Sequence, residues 1–351
     1  MYNLKIINKK EVWNDFIINS NIEFYSFVDS FEWWNLQELE WNKIFRYWIY
    51  DDKKLIWLFL LIKVFAKRWI YLFTPHWPLI MPEYNFFEVL KWLKQELKSI
   101  WKEQKASFIR LNSTQKNTKE NAKNFKNLWF LNAPMHIHAE DTHLLDLEKS
   151  EEELLKNIKK EDRYYINRAI KEWVEIRIDN QKDHIETLIN YHHNHANREN
   201  WKNKYHAFSI SYINNLYKIF DEKDINTISA SYNWKIESIL MTIRFWKTAV
   251  YYIASSDIVS KKFSPNYLCQ WSAILNAKRN WCKIYNFWWV SPDDNPNHPI
   301  AWVTKFKRKF WWYDYNLIHA QDLIISNKYW INWLIESIRR KKRWYYYKKP
   351  E

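Results

Sequence analysis

The sequence contains no glycine. Average usage of about 7% would give a chain of this length roughly 25, and drawing none by chance has a probability on the order of 10⁻¹¹. The 351 residues hold 25 tryptophans instead, a surplus of the same size as the deficit. Many of them fall where a chain turns: Asn233-Trp234-Lys235 between two apolar runs, Asn280-Trp281 before Cys282, Asn200-Trp201, Glu172-Trp173-Val174 and Phe245-Trp246-Lys247. Asn-Gly between alternating hydrophobic segments is the strongest short hairpin signal, because a type I′ turn needs positive φ at both central residues. An indole in such a slot is strained by about 1 kcal/mol or more and is expected to expose its ring. The pattern is what a gene that reads UGA as glycine would give if UGA were translated as tryptophan. That reading requires every glycine codon to be UGA, which the Lys, Asn and Ile content of an AT-rich genome makes easier to meet. The alternative is a chain truly rich in indoles, such as an aromatic stacking or membrane-interface protein. Trp33, Trp271 and Trp288 lie inside apolar stretches and read as genuine.

Other things are scarce too. Two cysteines, Cys269 and Cys282, are too few and too far apart for a zinc site or a disulfide framework, which agrees with a reducing compartment. They read as small buried hydrophobes. Residues 1–10 carry no apolar signal region, and the most hydrophobic run, 55–66, is too short to span a bilayer and is broken by Lys63. A cytoplasmic chain is expected. No phosphate loop precedes a helix even with glycine restored at the turns, which argues against a kinase, an NTPase or a dinucleotide enzyme. No metal or cofactor is expected. What is abundant is positive charge: a net +14 and a pI near 9.3 point to a polyanionic partner, nucleic acid or an anionic membrane surface, with a solvated basic face as the plainer reading.

Apolar runs at 44–50, 55–64 and 70–73, separated by short polar turns, predict an antiparallel meander. Spacing of three and four at Phe87, Leu90, Leu93, Leu97 and Ile100 predicts a helix over 86–102. Strands are expected at 108–111 and at 144–147, the latter closing the first unit. Ser150 with Glu153 fits a capping box opening a helix over 151–171. The order then repeats about 180 residues later: a strand at 174–178, helices at 183–197 and 209–220, a meander at 227–232, 236–245 and 248–254, a helix at 267–279, a strand at 283–287, and a last helix or turn at 303–310. Two related α/β domains, 1–147 and 148–325, are the economical account. A basic helix and tail, 326–351, is expected to pack near the first, its run 339–343 offering a solvated face or a contact for tRNA or anionic lipid.

With tryptophan read as glycine at the turns, several stretches resemble the Fem family of peptidoglycan bridge-forming aminoacyltransferases. They are Ser30-Phe31-Glu32-Trp33-Trp34; Tyr71-Leu72-Phe73-Thr74-Pro75-His76-Trp77-Pro78; Arg163-Tyr164-Tyr165-Ile166-Asn167-Arg168-Ala169 with Lys171-Glu172-Trp173-Val174; Asp293-Asp294-Asn295-Pro296-Asn297-His298-Pro299; and Phe306-Lys307-Arg308-Lys309-Phe310-Trp311-Trp312. Together they are specific and span nearly the whole chain; each alone is weak. The resemblance implies two acetyltransferase-like (GNAT) domains with mixed, largely antiparallel sheets facing a common cleft. It implies aminoacyl-tRNA as donor and lipid II or UDP-muramyl-pentapeptide as acceptor, with contact at the inner face of the cytoplasmic membrane.

The chemistry of that reaction selects residue types. An amine attacks the ester carbonyl of aminoacyl-tRNA, and a cation or a pair of amides must meet the negative charge that develops on oxygen. Phe306-Lys307 matches the family's Phe-Lys motif, whose implied role is a positive charge at the tRNA acceptor end. Lys305, Arg308 and Lys309 extend it as a basic surface for phosphates. Acceptor contacts are implied for Tyr251 or Tyr252, only one of which can face the cleft from a strand, for Arg198 and Tyr205, and for Gln37, where some members have a lysine. Arg163 and Arg168 are candidates for phosphate, against the plainer reading of charges on a solvated helical face. His136 and His138, alternating on a strand, read as a surface pair, and His192, His193 and His195 lack metal-ligand spacing. Asp293 reads as an Asx turn rather than an acid or base. Competing functions are a GNAT-type acyltransferase using acyl-CoA, an aminoacyl-tRNA-protein transferase, and a non-catalytic RNA or membrane-surface binder.

Overall fold

The computed structural model describes residues 2–351 except 7, 41, 67–68, 77, 136, 180–183, 198–206, 258–262, 312 and 343–345. The chain forms two units, Met1–Asp141 with Tyr315–Glu351, and Thr142–Asp314. Both are α/β with mixed sheets.

In the first unit the strands run in the order Tyr2–Ile6, Lys43–Asp51, Lys54–Phe65, Ile70–Pro75, Phe108–Asn112, Gln321–Ile324, Leu131–Asn132, with Leu79–Ile80 added to Lys54–Phe65. The expected meander is antiparallel. Helix Phe86–Gln104 then carries the chain over to Phe108–Asn112, which pairs parallel with Ile70–Pro75, as a parallel pair requires a crossover. Asn85 starts this helix by accepting from the amides of Phe87 and Glu88. Its stripe Val89, Leu90, Leu93 and Leu97 is buried on Tyr47, Ile49, Phe59 and Leu61 of the sheet, each leucine contributing about 1.5–3 kcal/mol of transfer free energy.

The second unit repeats the plan. Its strand order is Tyr313–Asn316, Asp141–Asp146, Ile284–Trp289, Thr248–Ser256, Lys235–Phe245, Ile225–Tyr232, Glu175–Asp179. Helix Pro265–Arg279 is the crossover between the parallel strands Thr248–Ser256 and Ile284–Trp289.

Three expectations need correction. The strand expected to close the first unit runs as Asp141–Asp146 and pairs with Ile284–Trp289 of the second sheet, because Leu145 and Leu147 pack among Tyr285 and Phe287 in the second core. Conversely Gln321–Ile324, assigned by sequence to the second domain, pairs with Phe108–Asn112 in the first sheet. The helix predicted over 151–171 is two, Glu151–Asn157 and Lys160–Lys171, because Ile158 turns extended to bury its side chain.

Among the described residues seven tryptophans adopt positive φ: Trp129, Trp173, Trp234, Trp246, Trp281, Trp288 and Trp311. Asn233 and Trp234, with φ of 47° and 65°, form the turn between Ile225–Tyr232 and Lys235–Phe245. Trp129, Trp173 and Trp281 each end a helix in the same way. The amide of Trp173 bonds the carbonyl of Ile170 and that of Val174 the carbonyl of Ala169; 129 and 130 bond 126 and 125, and 281 and 282 bond 278 and 277. These are Schellman ends, whose left-handed position is ordinarily glycine. Trp288, read from sequence as a genuine apolar residue, shares the backbone signature with φ of 61°; the strand is irregular there, between Asn286 and Trp289. Trp33 and Trp271 are buried.

Candidate active site

In the second unit a cluster of charged side chains surrounds helix Ala301–Lys307 and the 3-10 turn Arg308–Phe310 that follows it. Three consecutive cations leave this turn in different directions. Arg308 bonds Asp314, Asp294 at 2.7 Å and the carbonyl of Ser291 at 2.9 Å. Lys309 pairs with the buried Asp162 at 2.9 Å and bonds the Tyr267 hydroxyl. Lys307 points into the protein, where its Nζ donates to the carbonyl of Trp289 at 2.7 Å and lies 5.4 Å from the centroid of the Tyr251 ring. No acidic side chain pairs with it among the described residues.

That difference sets the electrostatics. Burial of an unpaired ammonium penalises the charged form, and it lowers Lys307 from the ordinary lysine value to about 7. Lys309, whose burial is offset by Tyr267 and Asp162, is raised instead. Burial would lift the Asp314 carboxyl, but bonds from His143 and Arg308 hold it below its usual value. His143, at 2.8 Å from Asp314, also packs on Phe287. Arg308 thus ties the loop after Trp289 to the edge strand Tyr313–Asn316, and the amide of Ser291 bonds Thr304 one turn before Lys307. The loop between is closed by Asx bonds, Asn295 to Asp293 and Asn297 to Asn295.

The two tyrosines diverge. Tyr251 packs with Phe287 on the side of Lys307, whereas Tyr252 bonds the Tyr212 hydroxyl at 2.7 Å and packs on Phe208. A register shift at Met241/Thr242 accompanies them, and burial raises both phenols. Phe306 packs edge-on against Tyr267 and Phe310. The structure therefore brings together Phe306, Lys307, Arg308, Lys309 and Tyr251, and leaves Lys305 exposed. Arg163 donates to the carbonyl of Lys156 at 2.6 Å, closing the preceding helix, and Arg168 is half-buried on the same helix. Gln37 lies in the first unit and accepts from Asn42 at 3.2 Å. Arg198 and Tyr205 lie outside the described residues. Sequence reasoning did not single out the carbonyl of Trp289, Asp162, Asp314 or His143; apart from the pair Arg308–Asp314, their partners stand far away in the chain.

The histidine readings change. His136 is outside the described residues, and 137–138 form a bend rather than a strand, so no alternation applies. His138 meets His76 edge-on at 5.5 Å, and burial lowers them to about 3 and about 4. His193 and His195 bond the carbonyls of Phe208 and Ser256. Among the described residues there is no group of three or more metal-ligating side chains, and no helix is long and apolar enough to cross a membrane.

No curated protein matches the chain. Among solved structures, FemX superposes with a TM-score of 0.78 at 15% identity, covering 95% of this chain and 100% of that one. The C-terminal domain of a putative lysylphosphatidylglycerol synthetase from Agrobacterium fabrum gives 0.56 at 9% identity over 95% and 98%. A tandem GNAT protein from the clavulanic acid biosynthesis pathway gives 0.54 at 7% over 92% and 98%. At such identities the likeness is one of fold. The FemAB family matches residues 230–332, a segment that contains Tyr251, Tyr252, Phe306 and Lys307. The family match is confined to that segment, and the α/β fold is similar to those of FemX and the tandem GNAT protein.

Proposed function

We propose that the protein transfers an aminoacyl group from aminoacyl-tRNA to an amine in the stem peptide of a peptidoglycan precursor. The observation that carries the reading is Lys307, buried beside Tyr251 with no acidic partner among the described residues and lowered to about 7. An ammonium that no carboxylate neutralises has its charge available for an anion, and in a dry site such a charge acts more strongly than in water. As the acceptor amine adds to the ester carbonyl, the oxygen gains a negative charge that this ammonium meets. Collapse of the adduct re-forms the carbonyl, expels the terminal ribose hydroxyl and leaves an amide, the amine having given up a proton. Arg308 and Lys309, each held by an acid, fix the turn that carries Lys307; exposed Lys305 is free for phosphate.

The test is transfer of radiolabelled amino acids from charged total tRNA to lipid II or UDP-muramyl-pentapeptide, with Lys307→Ala as control. Label in a precursor that disappears with the variant supports the reading. A folded protein that binds tRNA and labels neither precursor with any amino acid overturns the acceptor and directs attention to other acyl acceptors.

A further inference from the structure

Helix Tyr329–Lys342 in the first unit is amphipathic the wrong way round for a helix on a globular body. Its inward side is polar. Tyr329 donates to Asp322 at 3.0 Å, Glu336 pairs with the buried Arg110 at 2.8 Å, and Asn332 and Ser337 are buried. Arg110 bridges both acids, bonding Asp322 through two nitrogens. Its outward side is apolar: Ile331, Leu334 and Ile338 are exposed by 59%, 56% and 47%. A spacing of three and four places them on one face.

Charge says what covers that face. Arg339, Lys341 and Lys342 are exposed on the last turn, and Arg340 lies against the Tyr347 ring. Glu336, the one acid on the helix, is turned inward and paired. An aliphatic stripe flanked by unpaired cations, with no acid on the exposed side, matches the interfacial plane of an anionic bilayer, where apolar side chains enter the acyl boundary and Lys and Arg meet lipid phosphates. A protein partner would have to supply a separate acidic patch, and nucleic acid would leave the aliphatic stripe in water. We infer that this helix lies on an anionic membrane surface, seated by Ile331, Leu334 and Ile338 and held by Arg339, Lys341 and Lys342. The inference uses no tryptophan, so it stands whether residues 330 and 333 are indole or glycine. It is independent of the transfer chemistry.

The experiment is co-sedimentation of the full chain with vesicles of phosphatidylcholine alone or with one third phosphatidylglycerol, at low and high salt. Two variants accompany it: Ile331→Ser/Leu334→Ser/Ile338→Ser, and Arg339→Gln/Lys341→Gln/Lys342→Gln. All changed side chains are exposed, and thermal melts check that both variants fold. The expected result is salt-sensitive binding to the phosphatidylglycerol vesicles, with the triple charge removal weakening it about a hundredfold and the serine variant also losing it. Equal binding to neutral vesicles, or no binding to either, overturns the inference. Self-association that the serine variant abolishes, without vesicle binding, assigns the face to a second copy. A tRNA shift that only the glutamine variant loses, again without vesicle binding, assigns it to RNA.

Discussion

Replacing Trp173, Trp234 and Trp281 together by glycine should stabilise the second unit. All three hold φ near 60°, where a Cβ costs roughly 1–2 kcal/mol. Their rings are 86%, 96% and 87% exposed, so truncation forfeits almost no burial. Glycine enlarges the unfolded ensemble at a cost of about 0.4–1 kcal/mol per site, which leaves a net gain of roughly 0.5–1 kcal/mol each. The sites lie in separate turns, so the gains add to about 1.5–3 kcal/mol, or roughly 5–10 °C in melting temperature for a unit of this size. The assay is thermal and urea denaturation of the parent, the triple glycine variant and a triple alanine variant. Alanine removes the indole but keeps the Cβ, so it isolates the backbone contribution. A glycine variant no more stable than the alanine variant would refute the reasoning.

Peptide sequencing of the protein from its natural source should find glycine at 234 and 281 if UGA encodes it there, whereas indoles would end that reading. Lys307→Met should flatten the pH dependence of stability. The folded lysine binds its proton less tightly than the unfolded one, so the penalty is full below about pH 7 and is relieved as pH rises towards 10.5. The difference is at most roughly 5 kcal/mol at about 1.4 kcal/mol per tenfold change in proton affinity, readable as urea midpoints across that range. His76 and His138 are also depressed, so stability present above about pH 6.5 is lost as pH falls to about 4; His138→Phe should reduce that loss in an acid titration followed by circular dichroism. Arg110→Met strands Asp322 and Glu336 and should cost about 3–5 kcal/mol in chemical denaturation.

The two meanders and the helix Phe86–Gln104 were legible because each rests on local periodicity. The unit boundaries were not. Asp141–Asp146 and Gln321–Ile324 are short strands of mixed polarity, and nothing in either segment says which sheet will receive it. At the site, the family motif singled out Lys307, but its defining property is relational. Lys309 and Arg308 look the same in sequence and differ because Asp162 and Asp314 reach them, while among the described residues Lys307 meets a backbone carbonyl and a ring but no acid. Turn chemistry marked the hairpin at Trp234 and the helix end at Trp281, and missed Trp288, whose apolar neighbours concealed a strand irregularity.

The return of the chain to the first unit orders events during synthesis. The second unit is continuous and can close once the edge strand Tyr313–Asn316 has left the ribosome, whereas the first still lacks the strand Gln321–Ile324. Until then Phe108–Asn112 presents an unpaired edge, and Arg110 waits for acids more than two hundred residues downstream. The unit translated first is therefore completed last, and until then its open strand edge is the place most exposed to pairing with another chain.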